Sequence, residues 1–304
     1  MKILILGANG FLGQAIQKNF RSQNIDFLTC DKNGKCDFLG DLSKKEFVMN
    51  LPNVDLLINC AAVQYVTPKK PFLFKRNFFY TNNVTSLSNL FLRYGEHSET
   101  HLIHIGTSMM FDQNNSDRYF ADGRLKASGI YSETKILGQE IVEKFKKNTT
   151  IVPCIIAGKG RGGLFKNFVL SMKYFNVALL IGTGKHKISL VHVDDVASIV
   201  TKVIDSQHFG ILNVATNGAM TILDWIEIIA DELEIKKYTV IKVPLSIAKL
   251  VSKITNYNLL AKEQLSMLEM PHVLDIEESK KIGWIPHYSS EDIIKETAKF
   301  YNRG

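Results

Sequence analysis

A doubly wound α/β fold, with a parallel sheet between helices and a smaller C-terminal lobe, is predicted by three features of this 304-residue sequence. Short apolar runs alternate with stretches of helical periodicity through the first half of the chain, the pattern of strands buried between helices. A glycine run, Gly7 to Gly13, stands between the first apolar run and the first helix. An acid, Asp31, closes the second apolar run. Strand, glycine turn, helix, strand and terminal acid together form a Rossmann-type dinucleotide-binding unit.

Each part of that unit has a physical task. Lys2-Ile3-Leu4-Ile5-Leu6 reads as a strand buried on both faces. Gly7 permits the tight turn, Gly10 lets backbone approach a pyrophosphate, and Gly13 lets the helix lie close to the sheet. Phe11, Leu12, Ala15, Ile16 and Phe20 recur at helical spacing, so a helix starts inside the glycine run. Its free N–H groups, together with those around Asn9, face the phosphates. Ile25 to Cys30 is the second strand. Asp31 lies near the expected separation of about 20 residues for an acid that grips the ribose hydroxyls. An acid there repels a 2′-phosphate and favours NAD; Lys32, directly after it, leaves NADP open. A glycine turn alone is weak support for a ligand, and its setting gives it weight.

The remaining elements follow in order. Asp37 to Ser43 is a polar loop, and the third strand ends near Asp41-Leu42. A short helix runs through Phe47 and Val48. Val54 to Asn59 is a buried strand that enters Cys60-Ala61-Ala62, small residues that let a cofactor come close. Thr67 to Arg76, with two prolines, reads as an exposed loop. Helical spacing returns from Val84 to Tyr94. His101 to Gly106 is a strand followed by Thr107-Ser108, Tyr131 to Lys147 an amphipathic helix, and Thr150 to Ile156 a strand leading to the loop Gly158 to Gly163. Ligands of such sheets bind beyond the carboxyl ends of the strands, so these strand-end residues should share one cleft.

Bulk properties narrow the function classes. Apolar residues are 45% of the chain, enough for a sizeable core, and no stretch approaches the roughly 18 apolar residues of a membrane span. The chain enters its first strand at once, so neither signal peptide nor membrane partner is expected. Cys30, Cys36, Cys60 and Cys154 form no Cys-x-x-Cys pair and read as reduced thiols of a cytoplasmic protein. The net charge is +7, yet the lysines are scattered without interleaved stacking aromatics, which argues against nucleic acid and suits an anionic small substrate. The eight histidines show no metal-ligand spacing, so no metal is expected. His192 reads as structural, Asp194 and Asp195 as a helix cap and first-turn acid, and the aromatic Phe72 to Tyr80 stretch as packing or an interface.

Tyr131 and Lys135 stand four apart and so share a helix face. A phenol of pKa about 10 is a poor base at neutral pH, and a nearby ammonium favours its phenolate. The spacing alone is common; it gains weight from Thr107 at a strand end, whose hydroxyl can hold the oxygen that Tyr131 protonates or deprotonates.

With these residues in hand, the chain resembles an extended short-chain dehydrogenase/reductase of the NAD-dependent epimerase/dehydratase group. The glycine run is similar to the group's cofactor loop. Asp41-Leu42-Ser43 resembles its adenine-contacting stretch, Asn59-Cys60-Ala61-Ala62 its small-residue strand end, and Asn83-Val84 its Asn-Val helix start, where Asn supports the active site. Val191 to Ala197 and Ile282 to Pro286 resemble two further runs of the group. The resemblance implies Thr107, Tyr131 and Lys135 as the catalytic set. It adds Asp41, Leu42, Cys60, Ala61, Ala62 and Asn83 to the cofactor contacts, with Tyr131 and Lys135 serving there too.

It further implies a nucleotide sugar as substrate, turned over by epimerisation or 4-keto reduction, and a homodimer formed through the Thr81–Tyr94 and Tyr131–Lys147 helices. Thr107, Ser108, Arg161, Lys166, Asn167, Lys185 and Lys187 are the candidate substrate contacts. Two departures bear on this. Ser108-Met109 replaces the Asp-Glu of the 4,6-dehydratases, against dehydration. Ile188 stands where the group often has a diphosphate-clamping Arg, for which Arg161, Lys185 or Lys187 would substitute only as point charges. The alternatives are a dehydrogenase of a non-nucleotide alcohol, lipid- or sterol-like, and a non-catalytic cofactor-binding scaffold. The expected division is a cofactor domain over 1–156, a substrate segment over 157–186, a returning cofactor segment over 187–215, and a mainly substrate-binding lobe over 216–304.

Overall fold

The computed structural model describes residues 1–64, 72–95, 99–113, 117–162 and 164–303, with the backbone alone described at 72–74 and 164. The first half alternates β1 (Ile3–Leu6), α1 (Phe11–Ser22), β2 (Leu28–Asp31), β3 (Phe38–Leu39), α2 (Lys45–Met49), β4 (Leu56–Asn59), α3 (Phe72–Tyr80), α4 (Ser86–Tyr94), β5 (His101–Ile105), α5 (Ile130–Val142) and β6 (Lys147–Pro153). There follow β7 (Ile155–Ala157), α6 (Leu164–Phe175), β8 (Val177–Ile181), β9 (Leu190–His192), α7 (Val193–Ser206), β10 (Gly210–Val214), α8 (Ile222–Glu232) and β11 (Thr239–Val243). Four helices complete the described chain: α9 (Leu245–Ile254), α10 (Lys262–Glu269), α11 (Glu277–Lys281) and α12 (Ser290–Asn302).

Seven strands make one sheet in the order β10-β6-β5-β4-β1-β2-β3, each neighbouring pair parallel. Strand order reverses between β1 and β4, which opens a crevice at their carboxyl ends. The alternation of side chains explains why both faces are covered. Ile3 and Ile5 point to a core shared with α1, α7 and Trp284, while Leu4 and Leu6 point to one shared with α2, α4 and Phe145. Two smaller parallel pairs lie outside this sheet, β8 with β11 and β7 with β9. A third core, with Val169, Met172, Leu180, Trp225 and Ile294, holds α6, α8 and α12 around them.

Several expected boundaries move. The helix holding Tyr131 ends at Val142, and Lys147 already belongs to β6. The strand expected over Thr150 to Ile156 breaks at Cys154, where the chain leaves the main sheet and pairs β7 with β9. Of the segment expected to return, β10 enters the main sheet and β9 does not. The loop expected over Thr67 to Arg76 lies partly outside the described residues, and its part from Phe72 onward is helical. A π-helical turn, Thr81–Thr85, joins α3 to α4 and carries Asn83 inward; such turns recur at functional sites.

Candidate active site

The glycine loop is shaped by what surrounds it. Gly7 has φ +73°, and a Cβ there would stand 2.8 Å from the Ala61 amide nitrogen on the next strand end. At Gly13 a Cβ would stand 2.3 Å from the Gly7 carbonyl oxygen. No other residue permits this approach of α1 to the turn. Gly10 precedes α1 and donates its N–H to Gly7 O at 3.1 Å. Phe11 and Leu12 follow in the first helical turn, at the positive dipole end. Asp31 closes β2 and braces the loop: its carboxylate accepts from the Asn9 N–H at 2.9 Å and the Asn33 N–H at 3.1 Å. The Asn9 side chain donates to Asn33 O at 2.6 Å. Lys32 reaches Asn82 at 3.1 Å, which carries its charge to the π-helical turn.

At the neighbouring strand ends, Asp41 accepts from the Ser43 N–H at 2.9 Å, and Leu42 is buried with its carbonyl accepting from Asn89. Cys60 and Ala61 are half-buried and Ala62 is exposed at the end of β4. Burial pushes the Cys60 thiol up to about 12, so it stays protonated. Asn83 is spent on structure. Its side chain accepts from Val63 N–H at 2.9 Å, donates to Val63 O at 3.1 Å, and donates to the Thr134 hydroxyl at 3.1 Å. It therefore ties the strand-end loop to the helix of Tyr131.

On α5, Lys135 is buried. Its ammonium donates to Ile105 O, the last carbonyl of β5, at 2.7 Å and lies 3.2 Å from His104 Nε2. The other His104 nitrogen lies 3.2 Å from the Asn59 amide, whose oxygen takes the Ala61 N–H. A neutral imidazole has one acceptor nitrogen, so it satisfies only one of these two donors. Burial, and then the adjacent Lys135 charge, hold His104 well below the usual histidine range. Burial likewise lowers Lys135 to about 8. At that value Lys135 still carries most of its charge at neutral pH, and a cation near a phenol favours the phenolate. Tyr131 is buried, with its ring edge-on to Phe79 at 6.4 Å. Thr107 leaves β5 in extended conformation and caps a short 3₁₀ turn, its hydroxyl accepting from the Met109 N–H at 3.3 Å.

The start of α5 is clamped from two sides. Arg76 and the Tyr80 hydroxyl both donate to Glu133, at 2.7 and 2.6 Å. From the C-terminal lobe, the buried Glu263 carboxylate accepts from the Ser132 N–H at 2.9 Å and the Ser132 hydroxyl at 3.1 Å. It thus places a negative charge on the helix N-terminus. A Cβ on Gly129 would come within 2.5 Å of that carboxylate.

The opposite wall is a cavity of about 310 Å³ lined by Ile155, Phe168, Leu179, Ile181, Trp225 and Met267, among other apolar residues. Of the predicted substrate contacts, Arg161 and Asn167 line it. The Arg161 guanidinium donates to Gln64 at 3.0 Å and sits 5.4 Å over the Phe11 ring, linking this wall to the glycine loop. The other lysines do not converge there. Lys166 sits 5.6 Å over the Tyr301 ring and lines a separate surface cleft, and Lys185 and Lys187 are exposed. Long, strongly hydrated cations stay in water where no buried anion meets them. Ser108 turns away as well, its hydroxyl 2.7 Å from His272 in the interior. Ile188 is buried in the cavity wall.

Residues 1–268 match the family described as the RmlD substrate binding domain. The chain belongs to that family. It is accordingly an enzyme of the extended short-chain dehydrogenase/reductase type, among the NAD(P)-dependent oxidoreductases and epimerases. A comparison with curated proteins found no match. Solved structures share the fold over essentially the whole chain. UDP-glucose 4-epimerase from Thermotoga maritima, crystallised with UDP-glucose, is 15% identical with a TM-score of 0.80, covering 100% of this chain and 99% of its own. The dTDP-glucose 4,6-dehydratase DesIV from Streptomyces venezuelae is 17% identical with a TM-score of 0.80, covering 100% and 98%. The human epimerase family protein SDR39U1 with NADPH is 13% identical with a TM-score of 0.78, covering 98% and 99%.

Within this RmlD-type chain His192 is structural, as expected, but the expected cap moves: His192, not Asp194, caps α7, and both Asp194 and Asp195 stand in its first turn. His192 caps α7 and pairs with Glu296 at 2.8 Å, and the buried Asp195 accepts the His287 and Tyr288 N–H groups. Sequence reasoning missed His104, Glu263, His272 and Gln64. His104 was legible in principle, as a polar residue inside an otherwise apolar strand; the others carry no local signal.

Proposed function

We propose that this family member is an NAD-dependent epimerase or 4-keto reductase of a nucleotide sugar, with Thr107, Tyr131 and Lys135 as its catalytic residues. The observation that carries the reading is the seating of Lys135: four residues from Tyr131 on α5, its ammonium is fastened to the last carbonyl of β5, in the same sheet as β1 and its glycine turn. The close backbone packing at Gly7 and Gly13, which admits no Cβ, sets the start of α1 against the turn after β1 and fits a dinucleotide. When bound, the nicotinamide accepts and returns hydride at the reacting carbon. Tyr131 takes the proton from the substrate hydroxyl, or returns it to the oxygen in reduction. Lys135 lowers the cost of the phenolate by its charge. Thr107 holds the same oxygen by hydrogen bond. Asp31 supports NAD over NADP, and the engagement of Lys32 by Asn82 supports it further. On this reading 1–156 and 187–215 serve the cofactor, while 157–186 and 216–304 serve the substrate.

The apolar lining of the cavity, and the dispersal of Lys166, Lys185 and Lys187, favour a second reading: a dehydrogenase of a non-nucleotide alcohol. Mass spectrometry of the protein as purified separates them, a carried nucleotide sugar supporting the first and its absence alongside turnover of an apolar alcohol the second. Under either, Tyr131→Phe should keep NAD affinity, since the ring still packs against Phe79, and lose roughly 10²–10⁴-fold in turnover. Near wild-type turnover would leave a cofactor-binding scaffold.

A further inference from the structure

Helix α9 is built the wrong way round for a helix stabilised by its own apolar stripe. Ile247, Leu250, Val251 and Ile254 fall at i, i+3, i+4 and i+7, the spacing of a core-facing stripe. All four are exposed, Ile254 at 75%, while the residues α9 buries are the small Ala248 and Ser252. The concentration is specific. Six of the 17 exposed large hydrophobic residues, among those described, are these four with Ile241 and Leu259. The charge of the same stretch is one-signed: residues 235–262 contain six lysines and no aspartate or glutamate. All six lysines are exposed, Lys249 being paired with Glu269.

The stripe continues to the cavity. Leu179 and Ile241 are register partners across β8 and β11, each 46% exposed, and Leu179 lines the cavity. Leu260, also in the lining, packs against Ala248 on the inner side of α9.

We propose that α9, with the lysine-bearing edge of β11, is a peripheral docking surface for an anionic membrane. An aliphatic stripe flanked by lysines, with Glu269 paired to Lys249 at its edge, matches an interface where acyl chains lie beneath anionic headgroups. A second copy of the chain is a poor occupant, because a twofold contact on this face would set lysines against lysines. No helix among the described residues is long and apolar enough to cross a bilayer, so α9 lies in the interface plane. This proposal replaces the sequence expectation of no membrane partner with a surface contact. Docked in this way, the cavity rim at Leu179 and Ile241 sits at headgroup level.

The test is cosedimentation of the full chain with vesicles of phosphatidylcholine alone and of phosphatidylcholine mixed with phosphatidylglycerol, at low and high salt. Binding to the mixed vesicles is expected, weakened by salt and lost in Leu250→Ser/Ile254→Ser, whose circular dichroism should match wild type. Lys242→Gln/Lys253→Gln should weaken it roughly tenfold or more, at about 1 kcal/mol per lysine. Absence of wild-type binding, equal binding to both vesicle types, or an unchanged Leu250→Ser/Ile254→Ser variant would overturn the proposal. So would a dimer in light scattering that this double variant abolishes without any vesicle binding, which would assign the face to a second copy.

Discussion

On the sheet side of the cleft, Asn59, Asn83, His104 and Lys135 are buried in hydrogen-bonded chains that end on backbone groups; on the C-terminal side the cavity is lined mainly by Ile, Leu, Phe and Trp. The two glycine loops repeat the contrast. Around Gly7 and Gly13 neighbouring backbone leaves no room for a Cβ, whereas at Gly162 nothing stands within 4 Å. Similar composition therefore means different things. In the first loop glycine is demanded by close approach of backbone at Gly7 and Gly13; in the second, Gly158 and Gly160 hold positive φ, and Gly162 closes nothing. A wall of buried polar groups holds reacting atoms in fixed positions, while an apolar wall selects by shape and tolerates repacking.

If this contrast is right, acid should attack the structure through its buried imidazoles. His104 lies well below the usual 6.5, and burial lowers His272 to about 4. Both stay neutral in the folded state while the unfolded chain takes up protons below pH 6.5. Stability should therefore be full above that pH and fall as pH drops from 6.5 towards 4, by roughly 1 kcal/mol per unit for each ring that stays neutral. Urea unfolding across this range checks it, and in His272→Gln the slope should fall to about half. A flat profile would mean that neither ring is buried uncharged.

The next effect is smaller and opposite in sign. Lys135, lowered from 10.5 to about 8 by burial, should be a liability to stability, one that the proposed chemistry would require. Lys135→Met should raise stability at pH 7 by about 1–3 kcal/mol, the desolvation relieved less the donor lost to Ile105 O, while turnover and NAD affinity fall. In the wild type the unfolded chain holds the extra proton between about pH 8 and 10.5, so stability should rise through that window, and Lys135→Met should lack the rise. A less stable Lys135→Met would place this residue with the structural groups.

Gly13→Ala should cost about 1–3 kcal/mol, because the new Cβ meets backbone that must shift. Gly162→Ala should stay within about 0.5 kcal/mol. Equal costs in thermal unfolding would erase the distinction between the loops. The smallest effect tests a charged tie from the C-terminal lobe to the start of α5. Glu263→Gln keeps an acceptor for Ser132 but removes the charge from the start of α5. It should cost about 1 kcal/mol of stability, with a larger relative loss in turnover than in NAD affinity. Unchanged turnover would reduce Glu263 to a cap.

Much of the cofactor side was legible because its demands are local. A turn that only glycine can make, a helix that begins at once, and a strand that ends on an acid are all written within the first 31 residues, and alternation of Ile and Leu in β1 already assigns both faces of the sheet. That Tyr131 and Lys135 stand on one helix needed only the helical period. Tertiary structure decided what depends on residues distant in the chain. Glu263 meets Ser132 across 131 positions, and Ser108 meets His272 across 164. Lys166, Lys185 and Lys187 share a charge with Arg161 but not a place, since sequence gives no bearing for long exposed side chains. The stripe on α9 shows the limit most clearly. Its spacing is that of a core face, and periodicity states only that four side chains lie together. Which way they point is settled by what the rest of the chain offers to cover them, and here Ala248 and Ser252 take the inner side.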